Sequence, residues 1–351
     1  MTDNSKLARL GWRQFFQQQL TLEEVERARP ARVLVVQRSG ITVADEVGER
    51  HLAVAGKWFT LPSEQRPSVG DWLLLNAAGE AIERVLDRTS VFTRMAAGEK
   101  ADLQVIAANV DTLFVVTSCN EEFNPSRLER YLALAIEAGV EPVVVLTKAD
   151  LADDPERFVE AARRVRRSVP VECVNALVTD SLTGVRAWCR RGQTIALVGS
   201  SGVGKSTLVN SLSGTDIQDT GGIREDDAKG RHTTSHRSLH LLPDGGLLLD
   251  SPGMRELKIS DAAQGVTEMF DDVAELALSC RFSDCAHEDE PGCAVHAAIE
   301  AGTLDERRLK NYRKLLREQA RHTQSIAEQR HRTRQFAKHV RRVVAEKHKR
   351  P

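Results

Sequence analysis

The stretch TIALVGSSGVGKSTLVNSL (194–212) decides how the rest of the chain is read. An apolar run leads into Gly199-Ser200-Ser201-Gly202-Val203-Gly204-Lys205-Ser206, and a helical pattern follows. The spacing satisfies G-x(4)-G-K-[ST], in the strand–loop–helix setting that its chemistry requires. Gly199, Gly202 and Gly204 let successive backbone N–H groups wrap a β-phosphate, and the helix dipole adds positive potential. Lys205 is expected to bridge β- and γ-oxygens, Ser206 to ligate Mg2+, and Thr207 to contact the α-phosphate. The whole run from Gly199 to Thr207 is therefore a candidate nucleotide site.

A second motif lies upstream. Thr147-Lys148-Ala149-Asp150 follows the strand-like PVVVL. In such a motif the Asp150 carboxylate accepts hydrogen bonds from guanine N1–H and N2–H2, while the Lys148 stem lies over the base. Adenine offers neither donor, and the unpaired carboxylate costs roughly 1–3 kcal/mol. Threonine stands at 147 where asparagine is more usual, so one supporting contact is expected to be weaker. Asn175-Ala176, after PVECV, is the candidate third base loop, with the Ala176 N–H toward guanine O6. Alone, a T-K-x-D match is as often accident as site. The order is also reversed, since Asp150 precedes Lys205 by 55 positions.

Downstream, GLLLD ends in Asp250-Ser-Pro-Gly253. Asp250 is expected to hold Mg2+ through water and the Gly253 N–H to meet the γ-phosphate. The intervening 215–238 is polar and Gly-rich, as a nucleotide-sensing loop would be. In it, Thr233 or Thr234 is expected to complete the Mg2+ shell. Met254 follows Gly253, where Ras-type GTPases carry glutamine to orient the attacking water. Methionine cannot do this, and His232 is the best local substitute.

Apolar strands alternate with amphipathic helices from about 101 to 260, which predicts a parallel sheet covered on both faces. All these motifs then fall at the carboxyl ends of strands, where such sheets bind ligands. Residues 31–96 instead carry about five short β-type runs, suited to a small barrel. Arg88, Arg94 and Lys100 are its candidate contacts to a nucleic-acid backbone. The first 29 residues read as one or two helices, docking weakly. No signal peptide and no run of about 18 apolar residues is seen, so a cytoplasmic protein without membrane spans is expected.

Cys280-x(4)-Cys285-x-His287-x(5)-Cys293 brings three sulfurs and one imidazole within 14 residues. Four such ligands suit one tetrahedral structural Zn2+. Cys119, Cys173 and Cys189 read as core thiols, and His296 as a packing residue. The net charge of −1 hides an asymmetry: residues 307–351 hold 16 Lys/Arg and 3 Asp/Glu, a net +13, leaving −14 on the other 306. A basic tail on an acidic body points to a polyanion such as RNA.

Circular permutation reconciles the reversed motifs, because rejoining the chain at surface loops preserves the packed sheet. The order TKAD, NA, GSSGVGKS, HTT, DSPG, together with GRHTT, DSPGMRE and the cysteine knot, resembles the ribosome small subunit-dependent GTPase A family. GDW (70–72), ANVD (108–111) and RLERYL (127–132) extend the likeness over about 31–317. The resemblance implies a multidomain fold with an N-terminal OB-type β-barrel, a central circularly permuted P-loop α/β GTPase domain and a C-terminal α-helical zinc-binding domain. The expected bounds are 1–30 for an N-terminal helical extension, 31–97 for the barrel, 98–263 for the GTPase domain, and 264–351 for the zinc domain and basic helical tail. It further implies a GTPase that binds the small ribosomal subunit and its 16S rRNA; a monomer is expected. Such a protein hydrolyses GTP to GDP during late 30S maturation, is stimulated by the subunit and uses His232 in hydrolysis. The alternative is a GTP-regulated RNA-binding module with negligible turnover.

Overall fold

The computed structural model describes residues 4–37, 39–54, 56–95, 103–215, 237–250, 262–288 and 290–320. Its strands are β1 (Arg29–Val36), β2 (Ile41–Ala44), β3 (Glu49–Leu52), β4 (Trp72–Leu75), β5 (Ile82–Val85), β6 (Val91–Met95), β7 (Leu103–Ala108), β8 (Thr112–Ser118), β9 (Glu141–Thr147), β10 (Val171–Cys173), β11 (Thr194–Gly199), β12 (Arg237–Leu241) and β13 (Leu247–Asp250).

The order β10-β9-β8-β11-β13 is parallel throughout. β8 is buried at every position, as a strand covered on both faces must be. Its side chains alternate between two cores: Leu113 and Val115 face one, Phe114 and Val116 the other. The sheet therefore has helices on both sides, and its carboxyl edge is free for loops. β12 runs antiparallel beside β13 and also pairs with β1, so one sheet continues into the N-terminal module.

That module orders its antiparallel strands β3-β2-β1-β4-β5. Val33, Ile41, Val43, Leu73 and Leu75 form its core. β6 pairs with β7 across the expected bound at 97/98, so these neighbours are stitched together there.

The N-terminal helices dock firmly, contrary to the weak docking expected. Leu7, Trp12 and Phe16 are buried against Trp72, Leu74 and Leu86. Trp12 meets Trp72 edge-on with ring centroids 4.8 Å apart. Arg32, 1% exposed, ties three regions together. It donates to the Leu10 carbonyl at 3.0 Å, the Asn109 carbonyl at 3.0 Å and the Thr194 hydroxyl at 3.1 Å. Burial pulls its pKa down to about 10, against the opposing pull of Asp111 and Asp71, so it stays charged near neutrality.

The C-terminal region packs short helices, Ala263–Met269, Asp271–Ala277 and Ala294–Glu300, and is helical again over 306–320. Glu129, fully buried, accepts bonds from Arg307, Arg308 and Asn311 and so anchors that last helix to the helix Pro125–Glu137. Among the described residues no helix is long and apolar enough to cross a membrane.

Candidate nucleotide site and metal centre

The phosphate loop leaves β11 at Gly199 and enters the helix Lys205–Ser213. Gly199 has φ +152°, and a Cβ there would lie 2.2 Å from the Val116 carbonyl oxygen of the adjacent β8. No larger residue fits between strand and loop. Gly204, at φ +89°, turns the chain into the helix. Lys205 reaches back over the loop, its Nζ on the Ser200 carbonyl. Leu208 N–H bonds the Gly204 carbonyl at 2.9 Å, starting the helical ladder directly behind the loop.

The base motif leaves the neighbouring strand end. Ser118 and Thr147 are register partners, as are Val116 and Gly199, so β9, β8 and β11 end side by side. Thr147 is 1% exposed, and its hydroxyl is engaged inside the protein. Its hydroxyl lies 2.5 Å from the Val203 carbonyl and 3.1 Å from the Thr117 carbonyl. One proton serves the nearer acceptor, which ties the base motif directly to the phosphate loop. Lys148 adopts the left-handed conformation at φ +57°, ψ +35°. Non-glycine residues held there concentrate at functional sites. Ala149 N–H bonds the Val174 carbonyl at 3.3 Å, which joins the motif to the third loop.

In that loop Asn175 Oδ1 accepts from Leu177 N–H at 3.0 Å, and Asn175 N–H donates to the Ser181 hydroxyl at 2.8 Å. The Ser211 hydroxyl donates to the Ala176 carbonyl at 2.6 Å, linking the loop to the helix behind the phosphate loop. Asp250 closes β13, two strands from β8 on the same edge. Motifs far apart in sequence thus share one edge, with Thr147, Ala149 and Ser211 as the struts between them. His232, Thr233, Thr234, Gly253 and Met254 lie outside the described residues.

Arg88 does not fit its expected role as a nucleic-acid contact. Its guanidinium grips Asp71 at 2.7 and 2.8 Å, and the Asp71 side chain is wholly buried. Arg94 lies 3.4 Å from the Gln104 side chain, and Lys100 is outside the described residues.

The second site is the cysteine knot. One ligand atom from each of Cys280, Cys285, His287 and Cys293 lies within 4.8 Å of all the others. His287 Nδ1 is 3.6 Å from Cys280 Sγ and 3.5 Å from Cys293 Sγ, and those sulfurs are 4.0 Å apart. A tetrahedral ion with metal–sulfur near 2.3 Å and metal–nitrogen near 2.0–2.1 Å sets about 3.8 Å between sulfurs and about 3.6 Å from sulfur to nitrogen. The cluster fits a four-coordinate metal ion. All its cysteines are free thiols. His287 sits at φ +56°, and Gly292 at φ +81° returns the chain to Cys293. His296, read as a packing residue, supports the cluster: its Nε2–H donates to the His287 carbonyl at 2.9 Å. The Glu290 carboxylate accepts from Ala286 N–H at 2.9 Å and Glu288 N–H at 2.7 Å, which folds the ligand loop.

Of the other cysteines, Cys119 and Cys189 are buried in the core and Cys173 is partly buried against it. Cys119 and Cys173 place their sulfurs 3.8 Å apart beside the base motif, and this contact with burial raises the Cys119 thiol pKa. Burial pushes the Cys189 thiol up to about 12.

A phosphate loop and a base-reading motif, joined on one parallel sheet in reversed order, define a circularly permuted P-loop GTPase. The comparisons narrow that class. The family model described as RsgA GTPase matches residues 85–260. "Small ribosomal subunit biogenesis GTPase RsgA 2" of Vibrio parahaemolyticus is 53% identical over 350 residues, covering 100% of this chain and 96% of that relative. "Small ribosomal subunit biogenesis GTPase RsgA" of Mesorhizobium japonicum is 47% identical over 312 residues, 88% of each chain. The crystal structure of YjeQ from Thermotoga maritima superposes with a TM-score of 0.62 at 26% identity, covering 84% of this chain and 99% of that one. The crystal structure of YloQ, a circularly permuted GTPase, gives a TM-score of 0.60 at 25% identity, covering 84% of this chain and 95% of that one. The chain belongs to the RsgA GTPase family.

Proposed function

We propose that this chain binds the small ribosomal subunit and hydrolyses GTP to GDP and phosphate during late subunit maturation, with turnover stimulated by the subunit. The observation that carries the reading is the Thr147–Val203 strut, which joins a guanine-selective motif to a triphosphate-binding loop. The names of its relatives supply the subunit as partner.

In this reading Asp150 and Lys148 take the base, with Asn175 and Ala176 closing the pocket. The loop from Gly199 to Ser206, with Thr207, wraps the phosphates. Ser206, Asp250 and Thr233 or Thr234 hold Mg2+, and Gly253 meets the γ-phosphate. His232 positions the attacking water. A Mg2+ ion held there would supply charge neutralisation to the phosphates. The Cys280–Cys293 cluster holds one structural Zn2+, because three thiolates and an imidazole suit that ion. It supports the fold and leaves no open position for catalysis.

The antiparallel module of 31–97 is read as an OB-type barrel that works with the region from 264 to grip 16S rRNA. Those contacts are mainly to phosphate and hence salt-sensitive. The protein acts as a cytoplasmic monomer.

The test is GTP turnover by the full chain alone, with purified small subunits and with purified large subunits. Stimulation of tenfold or more by the small subunit only is the expected result for a partner-completed site. Tight GTP binding with no stimulation would replace this reading by that of a GTP-regulated RNA-binding module.

A further inference from the structure

The helix Pro125–Glu137 begins beside the phosphate loop. The Asn124 side chain caps it, accepting from Arg127 N–H at 3.1 Å, and Pro125 fixes its first turn. Its body is held from the other side, where Glu129 is gripped by Arg307 and Asn311 and Arg130 bonds Glu318 at 2.9 Å. Arg127 therefore projects from a fixed platform. Its guanidinium donates to the Ser200 hydroxyl, in the second residue of the loop. Its other partner, Glu122 at 3.3 Å, is half exposed, and such a pair holds a side chain weakly. Lys205 occupies the carbonyl of the same Ser200. Two cations thus meet on one loop residue, and the Arg127 side chain keeps 39% exposure on the open edge.

We propose that Arg127 is a positioning residue of the phosphate site. Acting through Ser200, it holds the arc from Gly199 to Ser201 and sets a second positive charge beside the terminal phosphate. The inference rests on the GTPase reading above. Lys205 has three N–H donors, so it can hold the Ser200 carbonyl and phosphate oxygens together, while the Arg127–Ser200 bond fixes the same residue from the helix side. GTP carries one more negative charge than GDP. A cation fixed near the terminal phosphate favours the triphosphate, whereas a merely structural role would affect both nucleotides alike.

The test measures the affinity of the full chain for a non-hydrolysable GTP analogue and for GDP, in wild type, Arg127→Ala, Arg127→Lys, Ser200→Ala and the double alanine variant. Arg127→Ala is expected to weaken the analogue about tenfold and GDP less than about twofold. Ser200→Ala should reproduce most of that split, and Arg127→Lys should recover part of it. The double variant should lose no more than Arg127→Ala alone, because the two residues act as one unit. Equal losses for both nucleotides, no loss, or independent addition of the two single effects would overturn the proposal. A wild type that binds neither nucleotide would instead overturn the GTPase reading, so the two failures are distinct.

Discussion

The phosphate loop and the cysteine knot each gather their chemistry within about a dozen residues, yet they are built in opposite ways. The loop hangs from a parallel sheet that is buried on both faces. Its shape is imposed from outside, by the Val116 carbonyl against Gly199 and by the Thr147 hydroxyl on Val203. Among the described residues no strand lies between 262 and 320, so the knot is carried by helices and loops. Its flanking helices, Asp271–Ala277 and Ala294–Glu300, run seven residues each. Helices that short do not hold themselves in water. The four ligand atoms, three sulfurs and one nitrogen, lie within 4.8 Å of one another and link the segments between those helices. A site on a sheet is preorganised before its ligand arrives, whereas a site made of loops takes much of its folding energy from the ligand.

That contrast can be broken from either side. The largest effect is expected at Lys205→Ala. On the proposed reading it removes charge-assisted bonds to two phosphate oxygens, each worth about 1.5–3 kcal/mol. GTP affinity, followed by titration with a fluorescent analogue, should fall at least about a hundredfold while the thermal melt is unchanged. Unchanged affinity would remove the loop from the site. Cys293→Ser should do the reverse. Metal analysis should drop from one zinc per chain to none, and proteases should cut within 278–300, while GTP affinity stays within about twofold. Full zinc occupancy in that variant, or loss of nucleotide binding with it, would end the claim that the two sites are built independently.

The same contrast explains what was legible in the sequence. Both are contiguous runs whose spacing states their geometry, so the strand–loop–helix setting of the loop and the clustered ligand set could be read off directly, whereas TKAD took its weight from the motifs around it. The struts between them could not be read off. Glu129 finds Arg307 across 178 positions, and Arg32 finds Thr194 across 162. Nothing local marks such charges as buried rather than solvated, because burial is decided by which elements pack. Arg88 shows the converse error: in sequence it is a basic residue of a small barrel, and in the fold it is committed to the buried Asp71. Trp12 and Phe16 look like scattered aromatics of a helical segment until Trp72 arrives from β4 to complete their cluster. Arg127 was visible only as part of the RLERYL run, and its reach to Ser200 depends on the cap that starts its helix.

Thr147 gives the finest test, because it sits where base and phosphate halves touch. Thr147→Val keeps the shape of the side chain and removes its hydroxyl, leaving the buried Val203 carbonyl without this partner. An unsatisfied buried acceptor costs about 1–3 kcal/mol. Part of that loss falls on fold stability. The rest falls on the bound state, because the phosphate loop and the base motif are no longer held in a common frame. GTP affinity is expected to fall about three- to tenfold, with guanine selectivity over ATP reduced in the same variant. Thr147→Ser keeps the hydroxyl and should stay near wild type in both, lacking only one methyl contact. If valine were as good as threonine in affinity and in selectivity, the strut would be a packing detail, and the two halves would be aligned by the sheet alone.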